Sequence, residues 1–95
     1  MLSLPLPQGR QSTRVILKRR ASLVINLDSN PKRFPCLILD FSPVGFRARG
    51  TFHLKRCQMV ELILDEHPPI CERCSVVWVG KPGSPHEGEV GLETV

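Results

Sequence analysis

The chain has 95 residues, 13 Lys or Arg against 9 Asp or Glu, and a formal net charge of +4. That length permits one domain, buries only about 60–65% of the unfolded chain's surface, and leaves little room for a deep active site beside a core. Its longest apolar runs, such as Val76-Val77-Trp78-Val79, fall far short of the roughly 18 residues that span a bilayer, and Met1-Leu2-Ser3-Leu4-Pro5-Leu6-Pro7 lacks the basic and long apolar regions of a signal peptide, so a soluble, cytoplasmic protein is expected.

In chain order, residues 1–13 contain Pro5, Pro7 and Gly9, show no hydrophobic period and read as a flexible arm; residues 14–95 read as a single domain. A first strand is expected over about 18–27, with Ala21, Leu23, Ile25 and Leu27 on one face, before the turn Asp28-Ser29-Asn30-Pro31. A second is expected over 35–42, with Leu37, Leu39 and Phe41 inward. Ser42-Pro43-Val44-Gly45 reverses the chain, with Pro and Gly at the second and fourth positions of a type I turn. The third strand, 45–52, alternates Phe46 and Ala48 with Arg47 and Arg49, and the fourth, 58–64, carries Val60, Leu62 and Leu64. His67-Pro68-Pro69 breaks the pattern. The fifth strand, 70–79, ends in the Val-Val-Trp-Val run, whose Trp78 is expected in the core. After the loop Lys81-Pro82-Gly83-Ser84-Pro85, the sixth covers 88–94, with Val90, Leu92 and Thr94 together. Six short strands and no helix pattern predict a small antiparallel β-barrel, whose closure removes the edges that would recruit other chains.

Charge is unevenly distributed. Residues 1–56 hold eleven Lys or Arg against Asp28 and Asp40, a net +9, and residues 57–95 hold Arg73 and Lys81 against seven acids, a net −5. The basic half contains two patterns that complement each other. Arg10 and Arg14 present two planar forks able to grip phosphates or the O6/N7 edge of guanine with paired hydrogen bonds. Asp40 and Ser42, two apart on one strand, share a face and point outward; the carboxylate can accept from guanine N1–H and N2–H₂, and the hydroxyl can donate to a phosphate. Gly45, without a Cβ, lets a flat ligand approach the backbone. The same residues also suit a plainer use, in which Asp40 or Ser42 caps the hairpin turn, and the two uses are compatible.

Arg10-x-x-x-Arg14 followed by Asp40-x-Ser42-x-x-Gly45 resembles the bipartite signature of PilZ domains, bacterial receptors for the second messenger cyclic di-GMP. The resemblance covers about residues 9–95, with Val60-Glu61-Leu62, Val76-Val77-Trp78 and Val90-Gly91-Leu92-Glu93 falling where that family places its fourth to sixth strands. It implies a PilZ-like six-stranded barrel that binds cyclic di-GMP without catalysis. Arg10 and Arg14 would clamp guanine edges and phosphates from a loop that orders on binding, Asp40 and Ser42 would contact the other side of the dinucleotide, and Gly45 would give room. The output would be a surface read by a separate protein partner. The sequence departs from the family in two ways. The chain stops after the sixth strand, where a C-terminal helix is common, so an uncovered barrel end is expected. The first strand is also expected to start several residues beyond Arg14. That uncovered end motivates a second reading, a ligand-independent adaptor of the same fold.

Other chemistries find less support. Cys71-Glu72-Arg73-Cys74 has the spacing of half a zinc site, but on a strand the two side chains point to opposite faces, and Cys36 and Cys57 do not complete a second pair; no metal or cofactor is expected and the thiols are expected reduced. His53, His67 and His86 are scattered and form no nucleophile–base set, so no enzymatic activity is expected. With no Tyr, four Phe and one Trp, base-stacking platforms for nucleic acid are scarce.

Overall fold

The structure is a computed structural model that describes residues 15–95, with side chains from residue 18 onward. The expected arm at 1–13 lies outside the described residues. Six strands follow in order: β1 (Val15–Ile25), β2 (Lys32–Ser42), β3 (Gly45–Gly50), β4 (Met59–Leu64), β5 (Ile70–Val79) and β6 (Glu89–Thr94). All pairings are antiparallel, and the sheet closes into a barrel in the order β1-β2-β3-β6-β5-β4. Among the described residues there is no helix, and hence none long and apolar enough to cross a membrane.

A six-stranded barrel is narrow, so its interior is filled by side chains and holds no channel. Period-two burial supplies the filling. Ala21, Leu23 and Ile25 of β1, Val60 and Leu62 of β4, Cys74 and Val76 of β5, and Val90 and Leu92 of β6 all point inward and are buried. Each Val, Leu or Ile side chain among them contributes about 1.5–3 kcal/mol by leaving water. Leu54, from the segment between β3 and β4, joins this core, as does Ala48.

The first strand differs from expectation at both ends. It begins at Val15 and stops at Ile25, because Asn26 adopts φ 57°, a left-handed conformation that Asn tolerates and a continuing strand does not. Leu27 therefore falls in the turn and leaves the inward row. The second strand starts earlier, at Lys32, and runs through Pro35. That proline lies just beyond the Cys36–Gly50 pair where the β2–β3 ladder ends, an edge position where a missing N–H is tolerated.

The phase of β2 is a correction. Cys36 and Ile38 belong to the core, whereas Leu37, expected inward, is half-buried on the outer face. Ile38 pairs with Ala48 and Asp40 with Arg47, so Leu39 is an extra residue, a β-bulge. The bulge resets the alternation: Leu39 is buried outside the core cluster, and Phe41 faces inward opposite Phe46, their rings 6.4 Å apart. A second bulge at Val77 in β5 lies between the Val76–Leu92 and Trp78–Gly91 pairs. It puts Trp78 on the outer wall and not in the core, 36% exposed.

Candidate functional site

The bulges at Leu39 in β2 and at Val77 in β5 flank a row of four residues across the outer wall. Asp40 stands opposite Arg47, Arg47 opposite Gly91, and Gly91 opposite Trp78. Ser42, Gly45 and Glu93 form the next row, by the pairs Ser42–Gly45 and Gly45–Glu93. Asp40 and Ser42 thus share the outer face, as their spacing predicts. Both are nonetheless buried, at 4% and 6% exposure.

Arg47 organises the rim. Its Nη2 donates to Asp40 Oδ2 at 2.7 Å, and its Nη1 to Glu89 Oε1 at 3.4 Å. Arg47 Nε is buried and meets no hydrogen-bond acceptor among the described residues, an unmet donor beside the Asp40 carboxylate. Glu89 also accepts from Arg49 Nη2 at 2.8 Å and sits 3.1 Å from His86 Nδ1. The Arg49 hydrogen bond holds the Glu89 carboxyl below its ordinary value of 4.5; burial opposes this, and His86 and Arg47 reinforce it. The result is a continuous chain of ions from Asp40 through Arg47 and Glu89 to Arg49.

Trp78 provides the aromatic part of the rim. A Cβ on Gly91 would collide with the indole, so glycine at this position lets the ring lie flat on the sheet. His86 meets the ring edge-on at 6.0 Å and 66°. Asp40, Gly45, Arg47, Trp78 and Gly91 together line a groove of about 390 Å³, within the roughly 300–1,000 Å³ usual for small-molecule sites.

The remaining positions resolve as follows. Ser42 Oγ accepts from the Val44 N–H at 3.4 Å, the turn-capping use. Gly45 lines the groove, but its need for glycine has another cause: a Cβ would run into the Leu92 carbonyl oxygen of the neighbouring strand. Arg10 and Arg14 lie outside the described residues. The backbone they lead into is placed: Val15 pairs with Phe41, and Ile16 with Asp40. The chain therefore enters the barrel alongside the rim, without the several-residue gap expected after Arg14.

Reading the sequence missed Arg47, Glu89 and Trp78. Arg47 carried a signal, since its outward position opposite Asp40 follows from the hairpin once the bulge is known. Glu89 is 42 residues from Arg47, beyond the reach of local pattern. Cys71 is exposed and Cys74 buried, on opposite faces as their spacing predicts, and all four cysteines are free. Burial pushes the Cys36 and Cys74 thiols up to about 11, with the Glu72 charge adding at Cys74, which leaves both protonated and unreactive at neutral pH. No group of His, Cys, Asp and Glu among the described residues could hold a metal ion. Compared with known proteins, the chain matches no family model and no curated protein.

Proposed function

We propose that this chain is a non-enzymatic receptor for cyclic di-GMP, a PilZ-like barrel working in the bacterial cytoplasm and passing its signal to a separate protein. One observation carries the reading: β1 starts at Val15, paired beside Asp40 and Ser42, so the covalently attached Arg14 and Arg10 are tethered to the rim that bears the carboxylate and hydroxyl. An outer-wall groove with an acid, an unmet guanidinium donor and an exposed indole face supports the same ligand class. In the proposed complex Arg10 and Arg14 grip phosphate and guanine edges, Asp40 accepts from the guanine N1–H and N2–H₂ edge, and Trp78 offers a face for purine stacking. Ordering the arm subtracts from the affinity.

Trp78 is the only tryptophan and the chain has no tyrosine, so intrinsic fluorescence reports on the rim alone. Titration with cyclic di-GMP should change that fluorescence saturably, in step with the heat of binding. Arg14→Ala should weaken binding about ten- to hundredfold, the usual cost of losing a bidentate contact. An affinity unchanged by Arg14→Ala rejects the role given to that residue, and a wild-type chain that gives neither signal rejects the ligand.

A second reading, the ligand-independent adaptor, has one feature in its favour. Ile38, Phe41, Phe46 and Leu64 line an apolar recess of about 260 Å³ at the barrel mouth, with the Arg19–Glu66 ion pair at its edge. A folded chain that ignores the dinucleotide would shift the choice to this reading.

A further inference from the structure

A second groove, of about 630 Å³, runs along the outer wall over β4, β1, β2 and β3, and shares no lining residue with the Asp40 rim. The ladder fixes its layout. Arg20 lies opposite Leu37, Ser22 opposite Pro35, and Val24 opposite Arg33; Leu37 also faces Arg49, and Ser22 faces Ile63. Arg20 and Arg33 are therefore four ladder positions apart, about 13 Å at roughly 3.3 Å per residue. Neither has an ion-pair partner among the described residues. Between them lie the exposed Pro35, the half-buried Ile63 and the half-buried Ser22, with the half-buried Leu37 level with Arg20.

That layout has a complement. An extended peptide places residues i, i+2 and i+4 on one side over the same 13 Å or so. An acid–apolar–acid triplet would set its carboxylates on the two guanidiniums and its middle side chain on Leu37 and Pro35. A nucleic-acid strand fits worse, since no aromatic residue lines the groove. Residues 1–95 hold no unpaired segment of this kind. The chain's own triplets, Glu61-x-Ile63-x-Asp65 and Glu89-x-Gly91-x-Glu93, lie in or beside β4 and β6, which are paired on both sides, and residues 1–17 contain no acid. We infer that this groove docks an extended acidic segment of a different protein, with carboxylates four residues apart on Arg20 and Arg33 and an apolar side chain between them.

The probe is a dye-labelled peptide carrying Glu-Thr-Leu-Thr-Glu between Gly-Ser flanks, followed by fluorescence anisotropy with the full chain. Saturable binding is expected. It should weaken at least tenfold in Arg20→Gln/Arg33→Gln and stay within twofold in Lys55→Gln/Arg56→Gln, an exposed pair outside the groove with the same loss of charge. Moving the glutamates to a three-residue spacing, which puts them on opposite faces, should weaken it as much as the groove variant. All four side chains removed are exposed, so both double variants should keep the wild-type urea midpoint. No saturable binding, equal losses in the two double variants, or indifference to glutamate spacing overturns the inference. The groove is argued without the dinucleotide: a chain that binds this peptide and ignores cyclic di-GMP retains the groove and removes the proposed ligand.

Discussion

Glu89 is the residue on which the outer wall turns. Its carboxylate is 4% exposed, yet it is charged, because Arg49 and Arg47 donate to it and His86 lies within hydrogen-bond reach. A buried charge is tolerable only when its lone pairs are filled, and here three side chains from β3 and the β5–β6 loop approach them. The folded-state value lies below the ordinary 4.5, so the carboxylate stabilises the fold above that pH, and the contribution is lost as pH falls through the lowered value. Glu89→Gln should cost about 1–3 kcal/mol at pH 7, the range for hydrogen bonds to a charged group. It should also flatten the fall in stability below about pH 4.5. Urea melts of both chains from pH 3 to 7 check this; parallel curves would mean that Glu89 does not carry the acid sensitivity. Gly91 shows the same economy at one atom: its lack of a Cβ gives Trp78 a bed on the sheet, a requirement that its place in an alternating strand pattern does not reveal.

At the scale of elements, period-two counting located all six strands but lost the phase of two. In β2 the apolar run Leu37-Ile38-Leu39 fits either face, and unbroken alternation places Leu37, Leu39 and Phe41 on one side. The bulge at Leu39 breaks that bookkeeping, so Ile38 and not Leu37 is inside. The bulge at Val77 does the same to Trp78, where an unbroken Val-Val-Trp-Val run gives no cue to facing. Bulges follow from how a small barrel bends to close, a property of the whole sheet, so local pattern carries no mark of them. By contrast, Asp40 and Ser42 were legible as an outward pair because no bulge lies between them. The phase of β2 can be measured. Ile38→Ala, at a site with 0% exposure, should cost about 2–5 kcal/mol, and Leu37→Ala about 1 kcal/mol or less. Denaturant midpoints reversing that order would return β2 to the phase expected from simple alternation.

Across the whole molecule, the proposed ligand rim and the proposed docking groove are separate surfaces joined by the ion chain. Arg47 bonds Asp40 at the rim and Glu89 behind it; Glu89 bonds Arg49, which lines the groove. Arg49 thus lines the groove with its guanidinium engaged by Glu89. In the proposed complex a guanine edge on Asp40 would compete with Arg47 for that carboxylate. Arg47, once displaced, would have Glu89 as its remaining partner among the described residues, already 3.4 Å away, and a tighter Arg47–Glu89 pair would loosen the claim of Glu89 on Arg49. Arg49 then adds a third cation to Arg20 and Arg33. The sign of the coupling follows: saturating cyclic di-GMP should raise affinity for the Glu-Thr-Leu-Thr-Glu peptide, by at least threefold. Linkage requires the peptide to raise dinucleotide affinity by the same factor, so the two titrations check each other. Arg47→Gln removes the relay while leaving Arg20 and Arg33 in place, and should reduce the factor to one without abolishing peptide binding. A wild-type factor of one, with both ligands bound singly, would leave two independent sites on one barrel and remove the ion chain as the path between them.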